Sequence, residues 1–343
     1  MKFDFIIGNP PYQEENDSNN RKKPIYDRFM DESYKIADVV ELITPARFLF
    51  NAGYTPKEWN QKMLNDEHFR VLYYEPDRDK VFPGTDIKGG VAVSLHNCKQ
   101  NFGKIVIFTP LEELNGILHK ILLANSDKPF LSDIISARGL YRFTPLFFAD
   151  NPTAVSALGK GTGNMIASNA FERLPDAFSE APTEDGHKFL KMLGLVKKER
   201  VYRYIRWDYV IPNEFITSYN VLFPKANGSG EFGEVLTLPA VSNVNEGATD
   251  TFINIGQFSS KHEAESAIKY IKTKFLRTLL GIKKVTQDCP RSVWQLIPVQ
   301  DFTPDSDIDW SKPVSEIDRQ LYAKYRLDEK EIAFIESHVK EMT

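Results

Sequence analysis

Phe3-Asp4-Phe5-Ile6-Ile7-Gly8-Asn9-Pro10-Pro11-Tyr12 decides how the chain reads. Phe3 to Ile7 is short, apolar and rich in β-forming side chains, and it stops on Gly8, so it predicts a buried strand running into a tight turn. The polar stretch Gln13 to Lys23 then predicts a loop, and a helix is expected from about Ile25. Val39 to Ile43 predicts a second buried strand, Glu58 to Leu64 a helix, Val71 to Tyr74 a third strand and Gly90 to Leu95 a fourth. This β-α-β-α-β-β order is that of half a parallel α/β sheet.

From about Phe108 the alternation gives way to irregular segments and turn pairs such as Asn227-Gly228, which predicts a second domain of α+β type. Farther on, Ser260 with Glu263 makes a capping-box pattern. Ala264, Ile268, Ile271, Phe275 and Leu279 follow at helical spacing, with Gly281 as the expected C-terminal cap. Asp328 with Glu331 predicts a last helix start, carrying Ile332, Phe334 and Ile335. The expected organisation is residues 1–107, 108–305 and a helical tail 306–343.

Composition limits the possible functions. With 343 residues, 42% hydrophobic and 26% charged, the chain can bury a sizeable core. No apolar run reaches bilayer length and no secretory signal is evident, so a cytoplasmic protein without a membrane partner is expected. Cys98 and Cys289 are the two cysteines and the six histidines lack ligand spacing, so neither a disulfide framework nor a metal site is expected. A net charge of -4 at pH 7 leaves a nucleic-acid partner open, because phosphate binding needs a local basic face rather than a basic total.

Asn9-Pro10-Pro11-Tyr12 carries the chemical signal, since ligands of open α/β sheets bind beyond the carboxyl ends of the strands. The exocyclic amine of a nucleobase is a poor nucleophile, because its lone pair is delocalised into the ring. Two acceptors that hold both N–H groups can relieve this. Asn9 can supply one and the Pro10 carbonyl the other, with φ fixed along Pro10-Pro11 so that the carbonyl is aimed. Tyr12 offers a face on which a base flipped out of a duplex can stack.

This motif, with Ile43-Thr44-Pro45-Ala46-Arg47-Phe48-Leu49 and Val81-Phe82-Pro83-Gly84-Thr85-Asp86-Ile87-Lys88-Gly89-Gly90-Val91, resembles the C-terminal half of adenine-N6 DNA methyltransferases of bacterial restriction-modification systems, in particular the fused type IIG enzymes. Lys272 to Arg277 and Pro298 to Phe302 are similar to segments of their target-recognition regions. The resemblance implies a partial Rossmann-like methyltransferase sheet followed by an α+β target-recognition domain, double-stranded DNA as partner and S-adenosylmethionine as methyl donor. It also implies that Asn9 and the Pro10 carbonyl hold the target amino group while Tyr12 stacks on the base.

In that family a glycine-rich donor loop precedes the motif, whereas eight residues precede Asn9 here. Gly159-Lys160-Gly161-Thr162-Gly163 is a poor substitute, because Asp150-Asn151-Pro152 before it reads as a turn rather than a strand. The expectation is a chain without the main donor pocket, inactive or incomplete alone, that works with a methyltransferase half or an endonuclease part. The alternatives are a DNA-recognition module with an idle motif and a protein glutamine-N5 methyltransferase, a family that also uses Asn-Pro-Pro-Tyr. The length of chain after the motif speaks against the second.

Candidate DNA contacts are Lys197, Lys198, Arg200, Arg203 and Arg206, interleaved with Tyr202, Tyr204 and Trp207. Lys269, Lys272, Lys274 and Arg277 form a second set on the capped helix, and a solvated face explains either set as well. Pro304-Asp305 with Asp328-Glu329-Lys330 matches a loose nuclease pattern, but Asp328 sits in a helix-start pattern, which argues against metal binding.

Overall fold

The computed structural model describes residues 3–14, 23–85, 87, 89–158 and 161–342. The chain forms two compact units, Met1–Ser126 and Asp127–Thr343.

In the first unit the expected element order appears. It runs β1 (Phe3–Gly8), α1 (Tyr26–Ile36), β2 (Ala37–Pro45), α2 (Lys57–Leu64), β3 (Phe69–Glu75), β4 (Val91–Asn97) and α3 (Glu112–Ala124). The sheet order is β1-β2-β4-β3. β1 and β2 are parallel, joined through α1, but β4 is antiparallel to both β2 and β3. The expected parallel run ends there for a plain reason: the described residues of 76–90 form no crossover helix, and a strand reached without one must run back.

The alternation of side chains along β2 fixes which face is covered. Val40, Leu42 and Thr44 are buried, and Met30, Phe48, Trp59, Met63 and Phe69 close a core over that face. β1 is not the buried strand expected: on the opposite face Phe3, Phe5 and Ile7 remain 48%, 68% and 78% exposed, because β1 forms the outer edge of the sheet.

The second unit holds three short helices, α4 (Pro145–Asp150), α5 (Ala154–Ala157) and α6 (Ala170–Arg173), and two three-stranded sheets. β5 (Phe189–Val196) and β6 (Glu199–Arg206) make a hairpin whose two linking residues, Lys197 and Lys198, take φ of 51° and 70°. Left-handed values at both positions match the twist of the flanking strands. β7 (Tyr219–Pro224), β8 (Ala240–Ser242), β9 (Glu246–Ala248) and β10 (Phe252–Phe258) complete the sheets, in orders β10-β7-β8 and β6-β5-β9. Phe143, Phe147, Leu190, Met192 and Ile205 are fully buried in its core.

Four helices follow: α7 (Lys261–Lys272), α8 (Lys274–Lys283), α9 (Val314–Lys324) and α10 (Glu329–His338). The single helix expected from Ser260 to Gly281 is broken at Thr273. The Thr273 hydroxyl accepts from Leu276 N–H, while the Asp318 carboxylate accepts from Lys274 and Phe275 N–H, so a second helix start is fully satisfied. Gly281 is no cap but lies inside α8, where a Cβ would stand 2.7 Å from the Phe232 ring. The Ser260 cap and the reciprocal Asp328–Glu331 capping box form as expected. Residues 306–343 belong to this unit, held by bonds such as Lys274 Nζ to Glu336 at 2.5 Å.

Candidate base-binding site

Asn9, Pro10, Pro11 and Tyr12 lie just past the carboxyl end of β1, and Asn9 and Pro11 are exposed. Beyond them the chain folds back, with Gln13 bridged to Pro24, Glu14 N–H donating to Lys23 O and Ile25 N–H donating to Tyr12 O. Among the described residues the Pro10 carbonyl accepts no hydrogen bond, which leaves its oxygen available.

The three stretches that carry the resemblance meet at this end of the sheet. The Tyr12 and Phe82 rings stand edge to face at 6.3 Å, and Ala46 N–H donates to Gly90 O. Gly89 and Gly90, with φ of 84° and 81°, admit no side chain. A Cβ on Gly89 would lie 2.6 Å from Arg47 Cγ, and one on Gly90 would lie 2.5 Å from the Glu75 carbonyl. Asp86 and Lys88 of the third stretch lie outside the described residues.

The Tyr12 hydroxyl is buried and makes no hydrogen bond among the described residues. Burial pushes the phenol up to about 12, eased by the nearby Asn9 amide. Tyr12 therefore stays neutral, offering a ring rather than a charge. In the sequence Phe82 is one aromatic residue of the third stretch, with no local sign of a role. Its aromatic character was visible, but its partner at position 12 lies across the sheet end.

The large cavity of this unit, about 650 Å³, borders β3. Three strand spacings separate β3 from β1, roughly 14 Å, so a donor bound there would not reach an amine held by Asn9. The glycine loop does no better: Gly161 and Gly163 face open space, with nothing within 4 Å of an added Cβ, and Gly159 and Lys160 lie outside the described residues. Neither feature fits the methyl donor, which is assigned to no residue of this chain.

The basic residues of the second unit divide by environment. Lys197, Lys198 and Arg200 are exposed at the β5–β6 hairpin, the Arg200 guanidinium lying 5.5 Å from the Phe252 ring centre. Arg203 pairs with Glu180 at 2.9 Å. Arg206 is held in a fork by Asp208, at 3.0 and 2.6 Å, with Asp150 at 3.4 Å, so its charge is already compensated.

On α7 and α8 the expected basic face does not form. Arg277 is 2% exposed and donates to the carbonyls of Lys272, Glu234 and Lys340. Lys269 donates to Trp310 O and Lys274 pairs with Glu336, which leaves Lys272 half-buried beside them. These side chains tie the fold together because the break at Thr273 turns α8 inward. Lys284, 3% exposed, meets Glu234 at 2.5 Å. Burial raises the Glu234 carboxyl, but Lys284 and the Ser229 and Gly230 amides outweigh it and hold the pKa down at about 2.

Asp328 is used by its helix cap, and among the described residues no group of three or more His, Cys, Asp or Glu could hold a metal ion. Among the described residues no helix is long and apolar enough to cross a membrane. Cys98 and Cys289 are both free thiols.

Residues 1–82, which contain the motif, match the Eco57I restriction-modification methylase family. An uncharacterized adenine-specific methylase of Mycoplasma pneumoniae is 32% identical over 95 residues, which are 26% of this chain and 22% of that protein. A crystal structure of the type IIG restriction endonuclease BpuSI overlays with a TM-score of 0.30 at 8% identity, over 94% of this chain and 50% of that one. At that score the overlay carries no weight.

Proposed function

We propose that this chain, a restriction-modification methylase by the family of its first 82 residues, holds the target base for adenine-N6 methylation of duplex DNA and reads the DNA around it. The observation that carries this reading is the placement of Asn9-Pro10-Pro11-Tyr12 past the carboxyl end of a parallel strand, with an available Pro10 carbonyl and Tyr12 beside Phe82. Asn9 and the Pro10 carbonyl accept the two N–H bonds of the amine, favouring a pyramidal nitrogen. Tyr12 and Phe82 together bound the flipped base and offset its unstacking cost.

S-adenosylmethionine supplies the methyl group when bound, and its binding residues belong to another part of the working enzyme. The free edge of β1 and its exposed Phe3, Phe5 and Ile7 support that division, because exposed large apolar side chains on an edge strand call for a covering partner even with Asp4 among them. Such a partner is a methyltransferase half, with or without an endonuclease part. On this reading the recognition region is the second unit, beginning at Asp127 rather than at the expected residue 108 because α3 belongs to the first unit, and the helices after 306 brace it. Lys197, Lys198 and Arg200 meet phosphates, and Lys272 is a lesser contact.

The test is selection of random duplex DNA by the whole chain, beside calorimetric titration with S-adenosylmethionine. Selective DNA binding without donor binding is expected. A chain that retains no duplex would end the reading, and tight donor binding would show a complete methyltransferase.

A further inference from the structure

β3 closes one end of the first unit's sheet and among the described residues pairs with β4 alone, so one row of its backbone N–H and C=O groups faces away from the sheet. The 650 Å³ cavity runs along this edge, bounded otherwise by α3 and residues 101–110. Its size suits a ligand, and its walls are a strand edge and a helix, the pairing that lets an extended peptide add as one more strand.

Three features mark the cavity as more than a packing fault. Val106, in the segment that borders it, has φ of 61°, and Ile107 N–H closes a three-residue turn onto Ile105 O at 2.6 Å. A β-branched residue rarely accepts this conformation, and such strain collects at binding sites. Gly116 sits in the middle of α3 on the cavity wall, where alanine would favour the helix more and would narrow the space. Leu72 and Tyr73 of the β3 wall stay 41% and 52% exposed.

Charge selects among occupants. Arg70 lies over the Phe102 ring at 5.3 Å and has no carboxylate partner among the described residues. Burial, with Arg70 and Lys120 as neighbouring cations, keeps the His119 imidazole below its ordinary pKa. The polar groups of Asn101 and Asn115 are already bonded to Glu67, Gly103 and Thr109, so the end of the cavity beside Arg70 is cationic, while the Glu112 carboxylate lines it about two turns before His119 on α3.

We propose that the groove between β3 and α3 binds an extended apolar peptide of a partner protein, paired along the β3 edge, with an acidic side chain of that peptide against Arg70. This site is independent of the base-binding reading, since it lies at the other end of the sheet.

The experiment is panning of phage-displayed random dodecapeptides on the full chain, followed by fluorescence anisotropy with the selected peptides, labelled with fluorescein. Peptides alternating apolar residues with at least one Asp or Glu are expected. Gly116→Phe, which fills the groove while keeping α3 helical, should weaken them roughly tenfold or more. Arg70→Glu should weaken them by a similar factor. Binding should also raise the His119 pKa, read by NMR. Peptides that bind Gly116→Phe equally well, selection of basic sequences, or displacement by adenosine monophosphate at equal concentration would each overturn the proposal, the last by making the site a nucleotide pocket. Unchanged duplex selection by Gly116→Phe would show that failure here leaves the methylase reading untouched.

Discussion

At the outer edge of the first unit apolar side chains lie outside, and at the centre of the second unit charged side chains lie inside. Phe5 and Ile7 are 68% and 78% exposed on β1, while Arg277 and Lys284 are 2% and 3% exposed in and beside α8. Both arrangements invert the usual partition. They differ in where the compensation comes from. Each buried cation has local acceptors, Arg277 three carbonyls and Lys284 a carboxylate. The β1 face stays largely uncovered among the described residues of its unit. A buried charge has to be settled inside the fold, whereas an exposed apolar edge can be settled by a partner, and this separates structural residues from working ones.

The sharpest way to break this contrast is Glu234→Gln. Leaving Lys284 buried without its carboxylate should cost about 3 to 5 kcal/mol in denaturant unfolding. A loss under about 1 kcal/mol would mean that solvent reaches the pair. The pH dependence has a fixed sign. The folded pKa of about 2 lies below the ordinary 4.5, so the contribution is complete above that ordinary value and fades as pH falls toward 2. The variant should lack this part of the acid dependence.

Next in size is Asn9→Ala, which should lower turnover of the complete enzyme by roughly a hundred-fold while duplex affinity changes little. Undiminished methylation would remove Asn9 from the chemistry. A smaller effect separates the exposed basic residues from the compensated ones. Lys197→Asn with Lys198→Gly removes two charges and suits the left-handed turn, so the slope of log affinity against log salt should fall by about two. Arg206→Ala, whose charge Asp208 already balances, should leave that slope alone. Equal effects from both would place the DNA elsewhere. Smallest is Phe5→Ser with Ile7→Ser. Stability of the isolated chain should stay within about 0.5 kcal/mol, since neither side chain is covered, and self-association on light scattering should fall. A large destabilisation would mean that this face is packed in solution.

Much of the first unit was legible because its signals are local. Phe3 to Ile7, Val39 to Ile43 and the helices between them declare themselves within a few residues, and the element order followed. The antiparallel β4 was not visible, because strand direction depends on what the 76–90 connection leaves out. In the second unit the caps at Ser260 and Asp328 could be read, as each involves neighbours in sequence. The break at Thr273 could not, since its decisive partner, Asp318, arrives from α9. Burial also pushes that carboxyl up to about 6, something no neighbouring residue would suggest. Arg277 misled for the same reason: helical spacing counts charges along a face, but carbonyls from residues 234 and 340 decide whether the face meets water. At the candidate site, Asn9 to Tyr12 stood out as a run, while Phe82 acquires meaning only across the sheet end.

The bond from Arg277 to the Lys340 carbonyl has a consequence for synthesis. Gly233 accepts from Lys340 N–H, and Val339 and Met342 are 3% and 4% exposed, so residues 339–342 are structural. A nascent chain can settle its first sheet early, since domains form in order as they leave the ribosome. The second unit has to wait. Until residues 339–342 emerge, the Arg277 guanidinium lacks one of its three carbonyl acceptors, and translation arrested a few codons short of Lys340 leaves that unit unclosed.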